Sequence, residues 1–197
     1  YKPTRIINCA AMSHVSVSFK EPIHSLEVTG KGVLNLLEAV RTVNNYYPHI
    51  VQFSTSELYA DQLSVVNGEQ VQNELTPMIP NSPYAIAKLA GYHYIRLYRE
   101  AYGMFAANAI IFNTESERRS EDFVTRKISL WIGRFKAWLE DKDIRSLSFD
   151  GDYIYFSSGM GCGDTPRFPK LRLGNIESFR DWNYVGDTVR PVKLILD

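Results

Sequence analysis

Ser82-Pro83-Tyr84-Ala85-Ile86-Ala87-Lys88 opens a helix that the pattern carries to about Tyr102, and a near-continuous apolar run over residues 107–112 follows it. Serine before proline is a helix-start signal: the hydroxyl can cap the first turn, and proline's fixed φ suits the first helical position. Gly103 is the matching stop. The apolar run lacks strict alternation, as a strand of a parallel sheet covered on both faces does. Working outward, Ile50-Val51-Gln52-Phe53-Ser54 is a second such strand. Arg5-Ile6-Ile7-Asn8-Cys9 is a short buried third, ending in the small-residue turn Ala10-Ala11. Between them, residues 25–44 read as a helix with Val33, Leu36, Leu37, Val40 and Val43 on one stripe. A further helix is expected over residues 122–139. This alternation makes the chain α/β, a doubly wound parallel sheet.

The remaining segments punctuate that frame. Residues 60–81 are polar and carry prolines, which predicts a long surface loop over the site. Residues 147–156 read as a hairpin about Asp150-Gly151, with a glycine-rich turn at 159–163 beyond it. Neither Gly30-Lys31-Gly32 nor that turn fits a dinucleotide loop, which needs G-x-G-x-x-G between a strand and a helix. Close helix packing and a flexible turn are the readings for the two. The chain opens on Tyr1 and stops in the apolar segment 192–196, so an internal piece of a longer protein is expected, incomplete at both ends.

Among 197 residues, 45% are hydrophobic, enough for a sizeable core, and 22 acidic residues balance 22 basic ones. That balance points to no nucleic-acid or membrane-surface partner. Two cysteines, Cys9 and Cys162, make neither a disulfide framework nor a metal cluster, which fits a cytoplasmic protein. His14, His24, His49 and His93 have no metal spacing and read as structural or surface residues, so no metal is expected.

The chemistry lies at Tyr84 and Lys88. Residues i and i+4 share a helix face, so the ammonium is expected beside the phenol, lowering a pKa of about 10 and fitting the tyrosine to take a proton from a sugar hydroxyl. Tyr-x-x-x-Lys alone is a weak signal. The preceding Ser82-Pro83 and the strand-end Ser54-Thr55-Ser56-Glu57 strengthen it. A lone strand-end glutamate is ordinarily solvated, and a lone tyrosine among 12 is ordinarily a packing residue. Their shared register with Lys88 favours a catalytic role for both.

With these residues in view, the chain resembles the GDP-mannose 4,6-dehydratases, extended short-chain dehydrogenase/reductases with a Rossmann-like core. The resemblance is carried by Ala11-Met12-Ser13-His14-Val15, Ser54-Thr55-Ser56-Glu57-Leu58-Tyr59, and Ser82-Pro83-Tyr84 with Lys88. Phe112-Asn113 with Glu115-Ser116 and Arg118-Arg119 add to it. Phe123-Val124-Thr125-Arg126-Lys127-Ile128 and Leu173-Gly174-Asn175 with Arg180-Asp181-Trp182 narrow it to the GDP-mannose enzyme within the dehydratase and epimerase group.

The resemblance implies an NADP-dependent hydro-lyase of nucleotide-sugar metabolism, on the route to GDP-fucose, that converts GDP-mannose to GDP-4-keto-6-deoxymannose. Tyr84 would take the O4 proton as hydride leaves C4 for the cofactor. Glu57 would remove the C5 proton, water would leave C6, and hydride would return there. Thr55 would hold the O4 region, Ser56 would assist the leaving hydroxyl, and Lys88 would bind the nicotinamide ribose. Ala10, Ala11 and Ser13 match cofactor contacts, and Arg119 a cofactor-phosphate contact reaching across a subunit interface. Asn113, Val124, Lys127 and Arg180 match positions holding GDP, though Val124 reads equally as core. Residues 1–113 would form the cofactor-binding core, and 114–197 the substrate region, with an extra element near 141–170. A homo-oligomer, dimer or tetramer, would form through the helix of Tyr84 and the one before it; Tyr92, Tyr94, Tyr98 and Tyr102 suit such a contact and core packing alike.

Against the family pattern, the glycine-rich phosphate loop is missing. Thr114 stands for a cofactor-contacting histidine, His24 for a tyrosine and Met12 for a glutamine, while Glu117 and Ser120 replace proline and glycine beside the arginine pair. Rival readings are another sugar-nucleotide dehydratase or epimerase, or an inactive relative retaining the fold. Ser56-Glu57 argues against an epimerase, and the joint presence of Thr55, Glu57, Tyr84 and Lys88 argues against inactivity.

Overall fold

A computed structural model describes residues 1–140, 146–157 and 167–197. They form two compact units, Tyr1–Thr114 with Asp181–Asp197, and Glu115–Arg180. Residues 181–197, expected with the substrate region, thus fold with the first unit.

In the first unit, β1 (Arg5–Asn8), β2 (His49–Phe53) and β5 (Ala106–Ala109) make a parallel sheet in the order β1-β2-β5. The central strand decides the layering. Ile50 packs with Val33, Leu37, Val40, Ile95 and Tyr98 of two helices, α3 (Gly32–Thr42) and α4 (Pro83–Tyr102). Its neighbour Val51 packs with Val192 and Leu196 of α6 (Val185–Leu196). Successive residues of a strand face opposite ways, so one strand buries both sheet faces under helices. The expected doubly wound arrangement is present. The apolar segment at 192–196 is the last part of α6.

Several details differ from expectation. The first strand is not buried: β1 lies at an edge of the described sheet and alternates between exposed and half-buried. The helix expected from 25 begins at Pro22, because proline at its first turn starts α2 (Pro22–Ser25), and a π-helical turn, Leu26–Lys31, joins this to α3. A short helix, α1 (Val15–Lys20), precedes it unforeseen. The segment 60–81 is not all loop. Asn67 and Gly68 both take positive φ and join β3 (Ser64–Val66) to β4 (Glu69–Val71) as a hairpin, the turn for which Asn-Gly is suited. The strand expected over 107–112 ends at Ala109, and Asn113–Glu115 forms a separate strand, β6, paired with β10 (Trp182–Tyr184).

Gly30 explains how closely the first helical layer packs. A Cβ there would sit 3.2 Å from the Ala87 carbonyl oxygen and 3.0 Å from Leu26 Cδ1. The packing reading of this glycine holds, and Gly30 and Gly32 both lie within helical structure rather than a phosphate loop.

In the second unit, α5 (Val124–Leu139) carries Trp131, Phe135 and Trp138, whose rings surround Phe168 of β9 (Arg167–Pro169). The expected hairpin is β7 (Ser146–Asp150) with β8 (Tyr153–Ser157), turning at Gly151 with φ +46°, and β9 adds a third antiparallel strand. The glycine-rich turn at 159–163 and Cys162 lie outside the described residues.

Candidate active site

The ends of β2 and α4 meet at the site. Past Phe53, the Ser54 and Ser56 N–H groups donate to the Ala109 and Ile111 carbonyls at 2.8 and 3.0 Å, so the ladder outlasts the strand. Thr55 is therefore held extended, and its Oγ1 accepts from the Glu57 N–H at 3.2 Å, capping the 3₁₀ turn Ser56–Leu58. Leu58 and Tyr59 are fully buried and pin that turn from below. Ser56 and Glu57 are half-buried.

Two hydroxyls cap α4 where Tyr84 enters it. Ser82 Oγ accepts from Ala85 N–H at 3.1 Å, and Ser18 Oγ of α1 accepts from Tyr84 N–H at 3.1 Å while donating to the Val15 carbonyl at 2.7 Å. Both Tyr84 and Lys88 are buried. The Thr55 side chain lies beside the Tyr84 phenol, close enough to favour its ionised form. Since Thr55 Oγ1 already accepts from Glu57, its own O–H is available to donate to the phenol oxygen.

The electrostatics differ from the sequence expectation. Burial pushes the Tyr84 phenol up from its ordinary value, the Thr55 side chain opposes that, and the Glu57 carboxylate adds to the rise. Lys88 does not offset it, because its ammonium donates to the Phe53 carbonyl at 2.7 Å and lies 5.9 Å from the Tyr84 ring centre. Burial in turn lowers Lys88 to about 8, with proximity to Cys9 a smaller opposing effect. The phenol is thus protonated at rest.

The other candidates are distributed between the two units. Ala10 and Ser13 are exposed and Ala11 half-buried, on the turn after β1. The Met12 N–H on that turn donates to buried Thr29 Oγ1 at 3.0 Å, fastening it to the π-helical turn. The Asn113 N–H and Nδ2 both donate to the Asp181 carbonyl at 3.2 Å. Thr114 Oγ1 donates to Asn183 Oδ1 at 3.1 Å and lies 3.2 Å from Thr188 Oγ1. In the second unit, Arg119 pairs with Glu115 at 3.5 Å, its guanidinium carbon lies 3.5 Å from the Phe123 ring centre, and its buried Nε has no hydrogen-bond partner. Val124, Lys127 and Arg180 are exposed, which removes the core reading of Val124. Among the described residues no group of His, Cys, Asp or Glu is placed to hold a metal, and no helix is long and apolar enough to cross a membrane.

Sequence reasoning passed over Gln52, Asn8 and Ser18. Gln52 had a visible signal, an amide in the middle of an apolar strand. Ser18 had none, because its role depends on two segments meeting.

The family model described as GDP-mannose 4,6 dehydratase matches residues 1–153. GDP-mannose 4,6 dehydratase 1 of Arabidopsis thaliana is 39% identical over 202 residues, covering 99% of this chain and 45% of the relative. The GDP-mannose 4,6-dehydratase of Yersinia enterocolitica is 42% identical over 198 residues, covering 99% and 44%. The chain thus spans a little under half the length of these relatives. The fold is that of RMD from Pseudomonas aeruginosa, solved with NADPH, at TM-score 0.69 and 21% identity over 98% of this chain and 56% of that one. On the matched model and these relatives, the chain belongs to the GDP-mannose 4,6-dehydratase family.

Proposed function

We propose that this chain carries the acid–base residues of a GDP-mannose 4,6-dehydratase, which removes water from GDP-mannose to give GDP-4-keto-6-deoxymannose. The observation that carries the reading is the placement of Thr55, bonded to the Glu57 N–H and lying beside the Tyr84 phenol, with Lys88 buried one turn along α4. A base for O4 and a carboxylate for C5 at one strand end is what 4,6-elimination needs and what simple epimerisation does not.

The residues fit the nicotinamide end of an NADP cofactor. Lys88 commits one N–H to Phe53, leaving two for a ribose diol, and alanines at positions 10 and 11 leave room for a flat ring. When bound, the nicotinamide would accept hydride from C4 and return it to C6. In its ionised form, which the Thr55 hydroxyl stabilises, Tyr84 takes the O4 proton as the C4 ketone forms and becomes the neutral phenol. The ketone acidifies C5, and Glu57 removes that proton. The C5–C6 double bond forms as the C6 hydroxyl leaves as water, taking by way of Ser56 the proton that Tyr84 removed from O4. The proton taken by Glu57 returns to C5 when C6 is reduced, so the sugar shows no net redox change.

Val124, Lys127 and Arg180 would hold GDP in the second unit, while residues 1–113 serve the cofactor. The Arg119 guanidinium would take a cofactor phosphate. A homo-oligomer and a cytoplasmic setting, in keeping with exposed free Cys9, complete the proposal.

Mass spectrometry of GDP-mannose incubated with this chain and NADP tests the reading. The expected product is lighter by one water and absent with Glu57→Gln. An isobaric product would instead indicate an epimerase, and recovery of unchanged GDP-mannose from the folded, NADP-supplied chain would overturn the assigned activity.

A further inference from the structure

Three links form one directed chain across β1 and β2, and a fourth, from Lys88 of α4, meets it at its last acceptor. The Ala10 N–H donates to Asn8 Oδ1 at 3.1 Å, and Asn8 Nδ2 donates to Gln52 Oε1 at 2.6 Å. Gln52 Nε2 donates to the Phe53 carbonyl at 2.9 Å, and that same oxygen accepts from Lys88 Nζ at 2.7 Å. Asn8 stands opposite Gln52 in the parallel register, so the two side chains share a sheet face.

Both ends of this chain are main-chain groups of fixed polarity. The Ala10 N–H can only donate, so Asn8 turns its oxygen to it and its nitrogen to Gln52. The Phe53 carbonyl can only accept, so Gln52 turns its nitrogen there. The orientation of both amides follows from these two ends.

Gln52 is 2% exposed, between Val51 and Phe53 on the central strand. A buried primary amide is tolerated only when its polar atoms are matched, and an aliphatic residue would fill the position without that requirement. The matching extends to the one carbonyl that holds Lys88. Among the described residues no carboxylate pairs with Lys88, so this carbonyl is its protein anchor.

We propose that Asn8 and Gln52 are positioning residues: through the Phe53 carbonyl they fix the Lys88 ammonium and join it to the Ala10-Ala11 turn. Gln52 puts an N–H beside the ammonium, so Lys88 has one shared acceptor and keeps its other N–H groups for a ligand. A carboxylate or a reversed amide at this point would hold the ammonium itself. The proposal rests on the dehydratase reading for what Lys88 does, and on the hydrogen bonds alone for where it is held.

The test is the titration of Lys88 in the whole chain, read without turnover. Reductive methylation with ¹³C-formaldehyde labels the lysines, and the resonance lost in Lys88→Arg identifies Lys88. The two titratable groups around it, Cys9 after β1 and Tyr84 on α4, are both raised by burial from ordinary values above the Lys88 range. The unaltered chain is expected to titrate near 8. Gln52→Glu replaces the donor by an isosteric acceptor, and the midpoint rises by about one unit or more. Asn8→Asp can only accept at position 8, so the Gln52 amide turns over, presents its oxygen to Lys88, and the midpoint again rises. An unchanged midpoint in folded Gln52→Glu and Asn8→Asp would reduce the network to packing and overturn the proposal. If Gln52→Glu does not fold, Asn8→Asp decides alone, since position 8 is only half-buried. A failed dehydratase assay leaves this readout intact, so the two proposals fail separately.

Discussion

Lys88 of α4 is anchored to β2 by a 2.7 Å hydrogen bond from its ammonium to the carbonyl of Phe53, a neutral partner for a side chain only 5% exposed. One carbonyl does not replace the water the ammonium loses, so burial depresses its pKa to about 8. Between that value and an unfolded one of about 10.4, the unfolded chain holds the extra proton, and stability therefore rises with pH across this window. Below it both states are protonated and the penalty, about 3 kcal/mol, is present in full. Urea unfolding at about pH 7 and about pH 10 should show that rise in the native chain and its loss in Lys88→Met. Equal slopes in the two proteins would show that the buried lysine does not carry the penalty.

Tyr84 makes a prediction of opposite sign. Its phenol is raised by burial, so the base form needs a higher pH than a free tyrosine does, and the Thr55 side chain is what limits the rise. Thr55→Val removes that hydroxyl. In the dehydratase assay the limb of kcat/KM that reports the ionised phenol is expected to move to higher pH. Tyr84→Phe is expected to lower kcat by about 10²- to 10⁴-fold with the fold intact. A profile unmoved by Thr55→Val would detach the threonine from the proton transfer.

Gly30 and Gly32 should respond oppositely to alanine, although they are two residues apart. At Gly30 the new Cβ meets the Ala87 carbonyl oxygen at 3.2 Å, next to Lys88, so Gly30→Ala should destabilise by about 1–3 kcal/mol. At Gly32 the nearest atom is 3.8 Å away, and alanine gains about 1 kcal/mol of helix propensity. Denaturant midpoints of the two variants should fall on either side of the native value.

The α4 helix was legible in the sequence because its signals are local. Ser82 and Pro83 start it, Gly103 stops it with φ +64°, and each acts within a turn of its own position. The sheet was legible for a similar reason, since Ile50 and Val51 announce burial on both faces. What was not legible depended on distant segments meeting. That Lys88 would bond Phe53 instead of biasing Tyr84 follows from the approach of α4 to β2, and helix periodicity says nothing about that. The edge position of β1 is a property of the sheet, invisible in Arg5-Ile6-Ile7-Asn8. The hairpin at Asn67-Gly68 is a different case: the turn signal was present, but short flanking strands of mixed polarity hid it.

The two caps on α4 give the last prediction, because they differ in what lies beyond them. Ser82 Oγ caps Ala85 N–H from within its own segment, so Ser82→Ala loses one N-cap and should cost about 1 kcal/mol. Ser82→Gly should cost only a few tenths of that, since glycine serves at this position. Ser18 is fully buried and reaches across from α1, so Ser18→Ala strands the Tyr84 N–H in the interior at about 1–3 kcal/mol. It also frees the residue that carries the phenol. Ser18→Ala should therefore lower kcat in the dehydratase assay more than Ser82→Ala does, even where unfolding experiments rank the two equally. If activity follows stability alone across the pair, α1 is only packed against α4 and does not aim Tyr84.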